Sequence, residues 1–277
     1  MIGLAPEPAL AILALVLGLA VGSFTNVVVW RLPRGESLVH PSSHCPRCGR
    51  PLRWWMNVPV VSWLLLRGRC GFCRSPIPVT YPLVEALSGG LWVLMAWPGV
   101  GRLGALPPLL NLLAGGLLLL WLLPLALIDA RTLRLPEPLC RWGVLTGLAV
   151  TLGAVLLQPE AAGLLRLHLL ACAVGLLGFE ATSAAAERLL GQPALGLGDA
   201  RLAALLGAWL GLGGLGVAVA LAIVAGALFG VAGRLSGRLG PRQPFPFGPF
   251  LAVGGGLAWL GGDGLAALLQ RAVVAGF

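Results

Sequence analysis

The chain has 277 residues, of which 58% are hydrophobic and 10% charged, and its mean hydropathy is +0.92. Soluble domains carry about 25% charged residues, so this composition excludes a soluble globular protein and describes a polytopic membrane chain buried largely by lipid. The net charge of +9 comes from arginine alone, with no lysine, and its placement points to membrane orientation and anionic lipid rather than to nucleic acid.

A spanning helix needs roughly 20 apolar residues. That length predicts an all-α polytopic fold of about eight transmembrane helices, near residues 8–30, 81–98, 106–128, 138–157, 162–184, 200–213, 214–232 and 248–270. The sixth and seventh are separated only by Gly211-Leu-Gly-Gly214, so a single long or re-entrant segment is the alternative there. The first basic residue is Arg31, after the first span, which argues against a cleaved signal peptide and for an anchor with its N-terminus outside. With that orientation only Arg102, Arg166 and Arg271 fall outside, and the other arginines lie on the cytoplasmic side, as the positive-inside rule requires. The organisation expected is a first transmembrane helix (1–30), a cytoplasmic insert (31–80) and a transmembrane core (81–277).

The insert is the one long polar stretch, with eight arginines and four cysteines. Domains this small commonly need a metal or disulfides. Cys45-Pro-Arg-Cys48 and Cys70-Gly-Phe-Cys73 form two C-x2-C knuckles at a spacing close to a four-cysteine zinc ribbon. A reducing cytoplasm argues against disulfides. A redox pair or unliganded thiols are the other readings. His40 and His44 precede the first knuckle and read as loop histidines. Cys140 and Cys172 fall in spans and read as small packing residues.

The chain has three aspartates. Asp129 ends an apolar run in Leu125-Ala-Leu-Ile-Asp129, and Asp199 opens another in Gly196-Leu-Gly-Asp199. Singly, Asp199 reads as a helix cap and Asp129 as a carboxylate paired with Arg131 or Arg134. Counting spans puts both on the cytoplasmic edge, whereas Asp263 falls toward the outside and reads as structural. Carboxylates at such places tend to face a bundle interior or a water-filled cavity. Two that meet share a proton, so one can activate water while the other protonates a carbonyl oxygen. Other chemistries lack their motifs: H-E-x-x-H, G-x-S-x-G, a phosphate loop and a dinucleotide fingerprint are all missing from the sequence. A lone His168 in a span reads as a packing or hydrogen-bonded residue. The competing class is a non-enzymatic transporter, or an assembly scaffold with a zinc-ribbon docking insert. It would need charge at mid-depth, and Glu180 is better placed for snorkelling.

Several segments together resemble the type IV prepilin peptidases: Gly22-Ser-Phe-Thr-Asn-Val-Val-Val-Trp-Arg31, His44-Cys-Pro-Arg-Cys-Gly49, Leu52-Arg-Trp-Trp-Met-Asn57, Arg67-Gly-Arg-Cys70 and Tyr81-Pro-Leu-Val-Glu85. The two aspartate motifs and Pro246-Phe-Gly-Pro-Phe250 follow in the same order, and Gly196-Leu-Gly-Asp199 also resembles the GxGD signature of membrane aspartic proteases. The resemblance implies a bacterial inner-membrane enzyme that removes the basic leader from prepilins and pseudopilins at the cytoplasmic face. It also implies that the new N-terminus is methylated by S-adenosylmethionine. By it, Asp129 and Asp199 match catalytic aspartates, and Cys45, Cys48, Cys70 and Cys73 match zinc ligands. Glu85 and Asn57 are candidates for the methyl-donor site, with packing or capping as the alternative. The chain departs from the pattern at Arg201 in place of lysine, at Leu135-Pro-Glu137 in place of Ile-Pro-Asp, and at Met56 in place of an acidic residue.

Overall fold

The computed structural model describes residues 6–97, 100, 106–158, 162–190, 196–240 and 243–275, without the side chains of 162, 190 and 262–275. Asp263, Arg102, Arg242 and Arg271 therefore lie outside the described side chains. The fold is α-helical, and among the described residues there is no β-strand, only two isolated bridges. The chain divides into two compact units, Met1–Gly99 and Val100–Phe277.

The first unit contains α1 (Pro8–Arg31), α2 (Val61–Leu65) and α3 (Thr80–Met95), with short 3-10 turns at Leu32–Arg34 and Trp54–Asn57. Helix α1 starts with proline at its first position, where a missing N–H costs nothing. At about 1.5 Å per residue its 24 residues are long enough to cross a bilayer. It packs against α3 through Gly18, Gly22 and Gly89. A Cβ at Gly22 would sit 2.7 Å from the Glu85 Cα, so only glycine permits this approach. Ser88 Oγ donates to the Gly18 carbonyl at 2.7 Å across the same seam. Lipid tails offer no hydrophobic drive for helix pairing, and close backbone approach with polar cross-links takes its place. Helix α3 is shorter than the expected 81–98 span. Its 16 residues reach about 24 Å, short of a roughly 30 Å hydrocarbon core.

The second unit contains α4 (Pro108–Thr132), α5 (Glu137–Leu157), α6 (Ala162–Leu190), α7 (Leu197–Leu235) and α8 (Gly248–Ala275). Helices α1 and α4 to α7 are long and apolar enough to cross a membrane, and α8 adds a shorter apolar stretch, Gly248–Gly261. The expected sixth and seventh spans form one 39-residue helix, α7, interrupted at Gly211 (φ 65°, ψ −176°), a conformation essentially restricted to glycine. The residues before the break, Ala200–Gly211, are almost all buried and carry the centre of the unit. Trp209 is buried there, donates from Nε1 to the Gly143 carbonyl at 2.8 Å, and meets Trp259 of α8 edge-on. His168 of α6 lies beside the break, its Nδ1 3.2 Å from Thr151 Oγ1 and 2.9 Å from the Ala208 carbonyl. It is thus the hydrogen-bonded packing residue the sequence suggests. Large apolar side chains such as Leu156, Leu177, Leu228 and Val231 point outward, as they do on helices solvated by lipid.

Candidate active site and metal centre

Asp129 sits in the last turn of α4, which ends at Leu133 in the left-handed conformation with its N–H on the Asp129 carbonyl. The Asp129 side chain is 5% exposed. Its Oδ2 accepts the backbone N–H of Gly248, the first residue of α8, at 2.9 Å. The carboxylate is thus bonded to an amide from a distant helix start and not to Arg131 or Arg134, both of which are exposed. A Cβ at Gly248 would meet Asp129 Oδ2 at 2.7 Å, so the absence of a side chain admits the carboxylate.

Asp199 lies in the first turn of α7. Gly196 is the N-cap residue, and Asp199 Oδ2 accepts its N–H at 3.1 Å from the third helical position. The capping role is therefore real, although Asp199 is not itself the N-cap. The two carboxylates are within electrostatic reach of each other. Leu135 packs on Gly198, fastening the turn after α4 to the start of α7. Arg201 pairs with Glu137 at 3.4 Å. These are two of the positions that depart from the family pattern, and together they form the one ion pair among the described residues. Both side chains are well exposed, so the pair contributes little stability and serves mainly to join α5 to α7.

In the first unit the four insert cysteines converge, their Sγ atoms all within 4.8 Å of one another. Cys45 and Cys73 Sγ are 3.8 Å apart, and a tetrahedral ion with thiolates at about 2.3 Å requires an edge of about 3.8 Å. The donor set can hold a metal ion. Each knuckle is a tight turn closed the same way, Cys45 N–H on Arg50 O at 3.0 Å and Cys70 N–H on Ser75 O at 2.8 Å. Burial pushes the Cys45 thiol up, but the Cys48 and Arg47 backbone amides and neighbouring side chains bring it down to about 6. Cys48 feels a lowering bond from the Arg50 amide, but desolvation and the adjacent thiols hold it up at about 11. The Ser75 hydroxyl and amide lower Cys73. His44 is exposed and its Nδ1 lies 3.0 Å from the Ser42 carbonyl, away from the thiols. Met56 is buried against Gly71, so the residue in place of an acidic one packs the knuckle.

The same unit has a partly open pocket of about 370 Å³ lined by α1, the insert and α3. Glu85 and Asn57 both line it, as do Ser23 and Arg31. Asn57 is exposed. Glu85 is 9% exposed, and its Oε2 accepts the Val60 N–H at 2.7 Å. Val60 has φ 62° and ψ −52°, and the Val61 N–H reaches the Pro59 carbonyl at 2.6 Å. This is a γ-turn of the rare strained hand, on a β-branched residue, and costs about 1–3 kcal/mol. Arg31 is buried, its guanidinium donating to the carbonyls of Ser37 at 3.0 Å and Pro41 at 2.8 Å. The sequence marks Arg31 as an orientation residue and as the end of a family-like segment, and it gives no role to Val60 or Ser23. No signal marks a turn hydrogen bond made by a valine amide.

The described features define a polytopic helical membrane protein with two carboxylates within electrostatic reach of each other in one unit and a four-thiol cluster that could hold a metal ion in the other. Residues 16–98 match the Bacterial Peptidase A24 N-terminal domain, and residues 116–231 match the Type IV leader peptidase family. A prepilin leader peptidase/N-methyltransferase of Burkholderia pseudomallei (strain 1026b) is 38% identical over 267 residues, covering 87% of this chain and 82% of the relative. Proteins of the same name in Myxococcus xanthus (strain DK1622) and Pseudomonas putida are 40% and 38% identical, covering 85% and 94% of this chain and 67% and 94% of the relatives. The chain belongs to the type IV leader peptidase family. No solved structure matches it significantly.

Proposed function

We propose that this chain is an aspartic endopeptidase of the bacterial inner membrane. It removes the basic leader of type IV prepilins and pseudopilins and then methylates the new N-terminus. Family membership and the names of its relatives support both activities and count against a transporter or scaffold. What supports the catalytic assignment is that Asp129 and Asp199, from two helix ends far apart in sequence, lie within electrostatic reach of each other, with Asp129 held by the Gly248 amide.

The pair works as a unit, with no separate base and acid assigned. One carboxylate takes a proton from water as the water oxygen attacks the scissile carbonyl carbon, and the other gives its proton to the carbonyl oxygen. When the tetrahedral adduct collapses, its C–N bond breaks, the carboxyl protonated in the first step returns that proton to the leaving amine, and the other carboxylate takes back a hydroxyl proton as that oxygen becomes the new carbonyl, which restores the starting pair. No covalent enzyme intermediate forms. Cys45, Cys48, Cys70 and Cys73 would hold a zinc ion that, when bound, would order the insert, as a structural ion does in small domains. S-adenosylmethionine, when bound, supplies the methyl group for the freed α-amine. The N-terminus is outside, and the insert and both aspartates face the cytoplasm, where a basic leader is retained.

Leader cleavage measured with Asp129→Asn and Asp199→Asn tests the assignment. Each substitution is expected to lower the rate by at least 10³-fold, as losing a member of a catalytic unit does. Full activity in either variant overturns it.

A further inference from the structure

We propose that Trp54 and helix α2 form an interfacial anchor, seated on anionic phospholipid in the leaflet that holds the Arg31 end of α1. Val61, Leu64 and Leu65 enter the boundary between acyl chains and headgroups, and Arg53, Arg67 and Arg69 meet lipid phosphate.

Contacts within the Met1–Gly99 unit fix the depth of this segment. Helices α1 and α3 run antiparallel, with Gly22 level with Glu85 and Asn26 level with Tyr81. The Glu85 carboxylate accepts the Val60 N–H at 2.7 Å, and Val60 leads directly into α2. Gly22 precedes Arg31 by nine residues, about 13 Å of helix. A helical side chain leans toward its own N-terminus, which for Glu85 is toward the Arg31 end, so Val60 lies roughly 10 Å back from that end. Helix α1 is about 36 Å long and exceeds a roughly 30 Å hydrocarbon core by only about 6 Å. Even with all of that excess at the Arg31 end, Val60 reaches past the hydrocarbon edge, and any tilt of α1 deepens it. The neighbouring surface is apolar to the same level. Val79, Leu83 and Leu87 make an exposed stripe along α3 that runs to its N-cap. Trp30, exposed beside Arg31, stands where interfacial tryptophans stand.

Helix α2 is inside out for a solvated helix. Ser62, Trp63 and Leu66 turn toward the pocket, whereas Val61, Leu64 and Leu65 are exposed. Trp54, in the turn that packs beside α2, is 81% exposed. Water favours polar residues on an outer face, and an apolar patch rimmed by charge marks an interaction site. Charge complementarity names the occupant. Residues 31–80 hold eight arginines and one acidic residue, Glu36. Arg53, Arg67 and Arg69 flank the apolar group in sequence and are exposed, with no carboxylate in salt-bridge range among the described residues. Arginine matches phosphate with a rigid fork of donors, and tryptophan suits a boundary that is apolar on one side and wet on the other. The reverse side of α2 lines the pocket, so lipid contact holds the pocket against the membrane surface.

The test uses the full-length, zinc-loaded chain in nanodiscs of mixed phosphatidylcholine and phosphatidylglycerol. The photo-crosslinker p-benzoylphenylalanine replaces Trp54 or Leu65, one per sample; both positions are exposed, and zinc content checks the fold. Adducts are identified by mass after irradiation. The expected result is lipid adducts at both positions, with phosphatidylglycerol enriched at least about fivefold over its share of the disc. That factor corresponds to about 1 kcal/mol, the worth of a single arginine near an anionic surface. Combining Arg53→Gln, Arg67→Gln and Arg69→Gln is expected to return the captured lipid to the composition of the disc at unchanged zinc content. Three outcomes overturn the proposal: no lipid adduct at either position, adducts to a second copy of the chain in their place, or captured lipid that mirrors the disc while all three arginines are present. If the combined variant loses its zinc, the lipid captured by the arginine-containing chain alone decides.

Discussion

One backbone amide fixes the position of Asp129. Because the contact is made by Gly248 N–H, a side chain at 248 acts by displacing the carboxylate, not by removing a partner. Gly248→Ala is therefore expected to reduce leader cleavage by about 10²-fold, the cost of an ångström-scale misplacement at a reacting centre, with zinc content unchanged. Wild-type cleavage rates in this variant would show that the amide does not position Asp129. A second prediction concerns the thiols. The thiolate is the reactive form, and the surroundings lower Cys73 while holding Cys48 at about 11. After chelation, iodoacetamide at pH 7.5 is expected to modify Cys73 well before Cys48, with zinc protecting both; peptide mass mapping reads the order. The residues were unevenly legible in the sequence. Aspartates are so few that Asp129 and Asp199 stand out, and C-x2-C spacing announces itself. Gly248 acts through its main chain, and Arg31 is buried on main-chain carbonyls, so side-chain type carries no trace of either contact.

Helix α7 shows what hydropathy can and cannot convey. Apolar length predicts membrane crossing over 200–232, and the structure places helix there, yet the break falls at a single glycine among 41. Composition does not distinguish a glycine needed for φ 65° from one needed for close packing. Gly211→Ala combines two penalties: a backbone conformation nearly exclusive to glycine and a Cβ within 3.1 Å of His168 Nε2. It is expected to cost about 2–3 kcal/mol, seen as a thermal midpoint several degrees lower in detergent. An unchanged midpoint would mean that α7 straightens without loss. The α1–α3 seam uses glycine in the other way. Small residues spaced four apart at Gly18 and Gly22 mark a close helix contact in lipid, and the contact is made there.

For the molecule as a whole, the arginine distribution predicts orientation. Single-cysteine labelling near Pro8 from outside the cell, and of an exposed insert position such as Ser37 only after permeabilisation, is the expected pattern. The opposite pattern would place the aspartates on the wrong face for a retained leader. Hydropathy conveys the number of apolar segments well, because lipid selects for length. It conveys the depth of α3 poorly, because a 16-residue helix packed on α1 shares its polar groups with a neighbour.

The glycine seam between α1 and α3 has a consequence for the segment it brackets. Asn26 Nδ2 reaches the Tyr81 carbonyl at 3.1 Å, so the strand of chain leaving α1 and the one entering α3 start side by side. Residues 32–79 are therefore a loop whose mouth is already shut by the helix pair, and the entropy of ring closure, which grows only logarithmically with length, is met before any ion binds. Ligation by the four thiols has only the interior of that loop to order. Insertions or deletions within it should then be tolerated by the helix pair, leaving the length of this segment free to vary while its anchor points stay fixed.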